Sequence, residues 1–210
     1  MARRDELTKT LCDKAIETIQ SGNKEQAIQY VKELDELFKT IHDRYCEYCS
    51  SLETFIAKTY GEEALRDALI YLVTDVHERT FIDPIKNAPH EKIVEIFSAA
   101  HRAHHSDFFV EEFKDRTVFT ITCCGSGGRM RQEGKYDNTK RHPMMGGTTK
   151  KAYPWAFNKI GVSYYCAHCG VLDELMKEWD LPFKMETVYG KQFDDEGNPI
   201  DEPCKYIIYK

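Results

Sequence analysis

Cys166-Ala167-His168-Cys169 is the segment of the chain with the clearest chemical meaning. Two thiolates at that spacing can reach one ion from a single turn, but a structural metal site takes four protein ligands. Cys124, at the end of a predicted strand, and Cys204, just before the last predicted strand, can supply the other two. Both stand at strand ends, where an antiparallel fold brings distant residues together. Cys124, Cys166, Cys169 and Cys204 are therefore read as a metal site, with Cys123 or His168 as substitute ligands. Thiolate-rich ligation selects zinc, with iron or an iron–sulfur cluster as the alternative. Small buried hydrophobes and a redox dithiol are the competing readings, the second without the βαβ setting of thioredoxin-type motifs.

Three further patterns carry chemistry. In Cys124-Gly125-Ser126-Gly127-Gly128-Arg129 the glycines allow a sharp turn with exposed amides that can cradle an anion, and Arg129 can pair with a carboxylate or phosphate. The lysine–threonine ending of a P-loop is missing. In His101-Arg102-Ala103-His104-His105, steps of three and four bring imidazoles to one helix face, a geometry for metal ligation or proton shuttling. A solvated helix end, where histidine meets the negative dipole terminus, is the plainer reading. Trp155, in Tyr153-Pro154-Trp155-Ala156-Phe157, and the Tyr164-Tyr165 pair can wall a pocket or fill a core. Cys46 and Cys49 also form a CxxC, read as core packing because Cys49 lies on a helical apolar stripe. Cys12 carries no signal, and His142, before Pro143, is a loop histidine with an open role.

The elements that must position these groups divide the chain into a helical region, residues 1–89, and an α+β metal-binding unit, residues 90–210. From Asn23 to Tyr60, apolar residues at Ala27, Val31, Leu34, Phe38, Ile41, Tyr45, Cys49, Leu52 and Phe55 or Ile56 follow near-heptad steps. A single helix of that length exceeds what a small domain needs, which predicts packing on another helix or a second subunit. Two helices broken near Cys49-Ser50-Ser51 are the alternative. A helix from Glu62 to about His77 follows, then breaks at Asp83-Pro84 and Ala88-Pro89, then a helix from His90 to about Ser106 with Ile93, Ile96, Phe97 and Ala100 inward. Beyond Asp107, β-branched and aromatic runs predict strands at 108–110, 117–122, 183–188 and 205–209. A short helix is predicted over 171–179, a long loop over 131–151 and a turn over 194–199. The fold class is α+β: long helices, then an antiparallel-sheet unit.

Across 210 residues, 41% are apolar and 30% charged, the balance of a globular protein with a buried core. A net charge of −6 argues against nucleic acid as partner. No stretch approaches the roughly 20 apolar residues of a membrane span, and the charged start lacks a signal-peptide core, so the expectation is a cytoplasmic protein without a membrane partner. There, eight cysteines are better read as thiols or ligands than as disulfides. A homodimer through the N-terminal helices is the expected assembly.

The run from Cys124-Gly125-Ser126-Gly127-Gly128-Arg129-Met130 through Tyr165-Cys166-Ala167-His168-Cys169 to Pro203-Cys204 resembles the bacterial L-2-amino-thiazoline-4-carboxylic acid hydrolase-like proteins. These in turn are similar to the vinyl-4-reductase-type small-molecule-binding domain. The likeness covers residues 90–210. The hydrolase resemblance implies ring opening of a cyclic C–N compound. The binding-domain resemblance implies a zinc-stiffened pocket for small ligands, with Cys124, Cys166, Cys169 or Cys204 carried over. The doubled Cys123-Cys124 and the extra His168 depart from both patterns. Cys123-Cys124-Gly125 before Cys166-x-x-Cys169 also resembles the CCG domain of heterodisulfide-reductase-type proteins, which implies an iron–sulfur cluster. The upstream cysteine of that pattern has no counterpart here outside predicted helices.

The resulting expectation is a metal-dependent, hydrolase-like enzyme acting on a small organic molecule. The cysteines hold the metal, Gly125 to Arg129 receive an anionic group, and His101, His104 or His105 moves protons. A non-catalytic binding module with structural zinc, and an iron–sulfur redox protein, are the alternatives.

Overall fold

A computed structural model describes residues 8–135, 147–190, 200 and 202–210. His142, most of the loop predicted over 131–151 and the turn predicted over 194–199 lie outside the described residues. The chain forms two compact units, residues 1–45 and 46–210, divided within one long helix. The boundary read from sequence at 89/90 falls inside the second unit, just before a helix that starts at His90.

In the first unit, α1 (Leu11–Gln20) starts at a capping box. The Thr10 hydroxyl oxygen accepts from the Asp13 N–H at 3.1 Å, and the Asp13 carboxylate accepts from the Thr10 N–H at 3.2 Å. Gly22, at a φ of 82°, turns the chain into α2 (Lys24–Tyr60). That helix runs unbroken for 37 residues, about 55 Å at 1.5 Å per residue. The break considered near Cys49-Ser50-Ser51 does not occur.

In the second unit, α3 (Glu62–Leu72) passes directly into a π-helical stretch, Val73–Ile82, and a single turn, α4 (Asp83–Ile85). The expected break at Asp83-Pro84 is absent because Pro84 occupies the first turn of α4, where a missing N–H costs that turn nothing. The break at Ala88-Pro89 stands: α5 (His90–Ala103) begins after Pro89 and buries Ile93 and Phe97.

The strands β1 (Asp107–Glu112), β2 (Arg116–Cys123), β3 (Met185–Val188) and β4 (Cys204–Tyr209) form one antiparallel sheet in the order β1-β2-β4-β3. Between β2 and β3 come α6 (Gly127–Gln132), a 3-10 turn at Pro154–Ala156 and α7 (Ala167–Glu178). The register sets Ile121 opposite Cys204, Phe119 opposite Tyr206 and Thr187 opposite Tyr206 on its other side. Alternation places these side chains on a single face of the sheet. The architecture is α+β, as expected.

Two apolar clusters close the unit. One joins Ala57 of α2, Leu65 and Leu69 of α3, Trp155, Val162 and Val171 of α7; the other joins Ile85, Ile93, Phe97, Phe119, Met185 and Ile208. Leu172 and the C-cap residue Trp179 of α7, with Cys204 at the start of β4, touch both clusters and join them. Gly170 lets α7 approach the 3-10 turn: a Cβ there would stand 2.3 Å from the Trp155 carbonyl oxygen. Among the described residues, no helix is long and apolar enough to cross a membrane.

Candidate functional site

A cavity of about 380 Å³ opens between the sheet face and the helices, and Cys124, Cys166, Cys169 and Cys204 all line it. The fold delivers each sulfur by a different route. Cys124 follows β2, Cys204 opens β4, Cys166 caps the N-terminus of α7 and Cys169 lies in its first turn. All eight cysteines are free thiols.

Burial governs the protonation of Cys166, Cys169 and Cys204. It pushes the Cys166 thiol well up from its ordinary value, helped by the neighbouring Cys124, Cys204 and Cys169. Burial likewise lifts Cys169 to about 12, and raises Cys204. The Arg131 guanidinium, also on the cavity wall, pulls Cys166 and Cys204 the other way and is outweighed. Three of the thiols have a local partner: Cys169 Sγ lies 3.1 Å from Tyr206 Oη, Cys124 Sγ lies 3.2 Å from Ser126 Oγ, and Cys204 Sγ accepts from the Gly190 N–H at 3.3 Å. Cys166, Cys169 and Cys204, which resist negative charge chiefly through desolvation, present with Cys124 the donor chemistry a soft cation favours. Among the described residues, no group of three or more His, Cys, Asp or Glu side chains is gathered closely enough to hold a metal ion.

The histidines are less uniform than their spacing implied. His101 lines the cavity but is packed among the rings of Phe108, Phe119 and Tyr206, with centroids 5.1 to 6.1 Å away. Burial, then the charge of His104, lowers its pKa to about 4, so it is neutral at pH 7. His104 lines the cavity from the C-cap of α5. His105, at a φ of 50°, is not among the lining residues.

The glycine loop also serves another purpose. Arg129 donates to the carbonyl oxygens of His104 at 3.1 Å and His105 at 2.7 Å, so its guanidinium closes the end of α5. Gly125 passes against that end, with an added Cβ only 1.6 Å from the His104 carbonyl oxygen, and its N–H donates to Ser106 Oγ at 3.0 Å. Close approach of two backbones explains this glycine. Ser126, Gly127 and Gly128 do line the cavity. Trp155 is 2% exposed within the apolar core and off the cavity wall. Cys123 is off the wall too, with its thiol donating to Gln132 Oε1 at 3.4 Å. Cys46 is buried, accepting from Tyr165 Oη at 3.3 Å, and Cys49 packs beside it.

One pair was missed altogether. Glu53, buried at 7% exposure on α2, places Oε1 2.5 Å from His168 Nε2, and the His168 ring stacks on Tyr165 at 5.1 Å. His168 therefore faces the cavity with one nitrogen engaged by a carboxylate, the arrangement that orients an imidazole for proton transfer. His77, from the π-helical stretch, lines the same cavity. Burial, then the charge of His168, lowers its pKa. Glu53 Oε2 and His77 Nδ1 are both buried without a hydrogen-bond partner among the described residues.

The pair was hidden because the stripe followed along α2 was its apolar one. Its inward face in the second unit is Cys46, Ser50, Glu53, Thr54 and Ala57, polar and small, at helical spacing. A carboxylate within such a run, eight residues ahead of a glycine at the helix end, was the available signal.

No protein-family model, curated protein or solved structure matches the chain.

Proposed function

We propose that this chain is a metal-dependent, hydrolase-like enzyme that takes a small organic molecule into the cavity beside Cys124, Cys166, Cys169 and Cys204. The observation that carries the reading is the meeting of those four thiols with His77, His104, His168 and Tyr206 around one half-open cavity. The four cysteines, not gathered as an ion-holding group in the described structure, would draw together round zinc, in preference to iron or an iron–sulfur cluster. Their donor chemistry fits a soft ion, and a cytoplasmic setting would keep them reduced.

A zinc with four thiolates is closed and structural, so its contribution is to stiffen the wall of the cavity. Proton transfer then falls to this chain's imidazoles. His168, oriented by Glu53, takes a proton from the attacking water, and His104, which lines the same cavity, returns one. His101 is not assigned that role, because a ring held neutral down to about pH 4 is a poor base at pH 7. The substrate class implied by the resemblance is a cyclic C–N compound: water adds OH to carbon and H to nitrogen as the ring bond breaks.

The test is metal analysis and an absorbance spectrum of anaerobically purified protein. Colourless protein with one zinc per chain supports the reading. Brown protein with iron and sulfide replaces zinc by a cluster, and protein that binds neither metal overturns the proposal.

A further inference from the structure

Along α2 the apolar stripe does not face the protein. Val31, Leu34, Phe38, Ile41, Tyr45, Tyr48, Leu52 and Phe55 are between 41% and 64% exposed. Their spacing is 3-4-3-4-3-4-3, the alternation of a and d positions over more than three heptads. The residues by which the helix packs in the second unit, Cys46, Ser50, Glu53, Thr54 and Ala57, fall at heptad positions b, c and f. So the helix uses its polar and small face inward and leaves its aromatic and aliphatic seam in water. That is the reverse of an amphipathic helix on a globular core.

Isolated exposed hydrophobes need no explanation, but eight in one continuous line do. We propose that a second copy of this chain covers the seam, α2 against α2, as a coiled-coil homodimer. Three observations select this occupant. A seam two positions wide per heptad, flanked by exposed Ile28 and Leu37 at e and g, fits another seam of the same period, whereas a helix lying on a membrane needs a broad apolar face with basic flanks. The helix carries seven carboxylates against five lysines and arginines, which disfavours an anionic lipid surface. The exposed parts of these eight side chains amount to roughly 800 Å² per copy, the size a stable pairwise interface needs.

The full-length chain, 24.4 kDa, is followed by sedimentation velocity and light scattering from 1 to 100 μM, a range spanning about two decades of dissociation constant. The expected result is a particle of twice the chain mass, with the dimer dissociation constant raised about 100-fold or more by Ile41→Glu or Leu52→Glu. Glu36→Ala, off the seam at position f, leaves it unchanged. If a charged variant fails to fold, hydrogen exchange on the wild-type chain decides instead. Amides of residues 31–55 become more protected as concentration rises if the copies pair through α2. A wild-type monomer at 100 μM, a dimer that survives both charged substitutions, or flotation of the chain with anionic phosphatidylserine vesicles overturns the proposal.

Discussion

Glu53 Oε1 lies 2.5 Å from His168 Nε2, tying the buried face of α2 to the first turn of α7 across 115 residues of sequence. The contact does two things at once. It fixes the ring that faces the cavity, and it satisfies one oxygen of a carboxylate that burial would otherwise penalise. Glu53→Ala leaves His168 without its acceptor and is expected to lower unfolding free energy by about 1 to 3 kcal/mol. Glu53→Gln, which can still accept a hydrogen bond, should lose less. Urea unfolding of the three proteins checks the order, and equal stability of all three would remove the pair from any positioning role.

His101 predicts a pH dependence with a definite sign. Its folded pKa is lowered to about 4 by burial, against an ordinary value of 6.5. Between those limits the unfolded chain binds a proton that the folded chain refuses. Stability therefore rises with pH across the window and is lost as pH falls from about 6.5 toward 4. The contribution is on the order of 3 kcal/mol when the window is crossed in full. His101→Phe, an aromatic that fits among Phe108, Phe119 and Tyr206, should flatten the slope of stability against pH in that range. A slope identical to that of the wild type would place the titration elsewhere.

Gly125 and Gly170 are both held by backbone approach, and the geometry ranks them. A Cβ at Gly125 would lie 1.6 Å from the His104 carbonyl oxygen, and at Gly170 it would lie 2.3 Å from that of Trp155. Neither neighbour is a flexible side-chain tip, so backbone must move. Gly170→Ala is expected to cost about 1 to 3 kcal/mol, the usual penalty of overpacking, and Gly125→Ala more than that. Thermal melts give the ranking directly. Gly125→Ala should also shift the chemical shifts of residues 101–106, since the end of α5 is what it strikes.

The strands and most helix positions were legible because period-two β-branched runs and heptad steps are local signals that this fold does not override. Thr117, Val118, Phe119, Thr120 and Ile121 are buried one after another, as suits a central strand flanked by β1 and β4 and covered on both faces. The gathering of Cys124, Cys166, Cys169 and Cys204 on one cavity was also readable, because strand ends and a helix start are where an antiparallel unit converges. Arg129 was not: a guanidinium after glycines reads the same whether it meets an anion or two carbonyl oxygens. Glu53 and His77 were missed for a related reason. Their importance comes from which side of α2 faces inward and from a π-helical stretch that continues α3, and a period-based reading fixes neither.

The thiols supply the last prediction, and it separates them by position rather than by number. If Cys124, Cys166, Cys169 and Cys204 hold zinc, the ion binds the folded chain far better than the unfolded one. Chelation should then lower the melting temperature, and readdition should restore it. Cys166→Ser and Cys204→Ser remove donors from two different walls of the cavity, so both should lose the metal and the response to chelator together. Cys46→Ala removes the acceptor of the Tyr165 hydroxyl in a separate cluster with Met130; it should lose stability while keeping full metal content. Cys12→Ser, at an exposed position of α1, should change neither. Metal content by plasma emission and melting curves with and without chelator give all four outcomes. Retention of one zinc per chain in both Cys166→Ser and Cys204→Ser would exclude these sulfurs as its ligands, whatever the cavity binds.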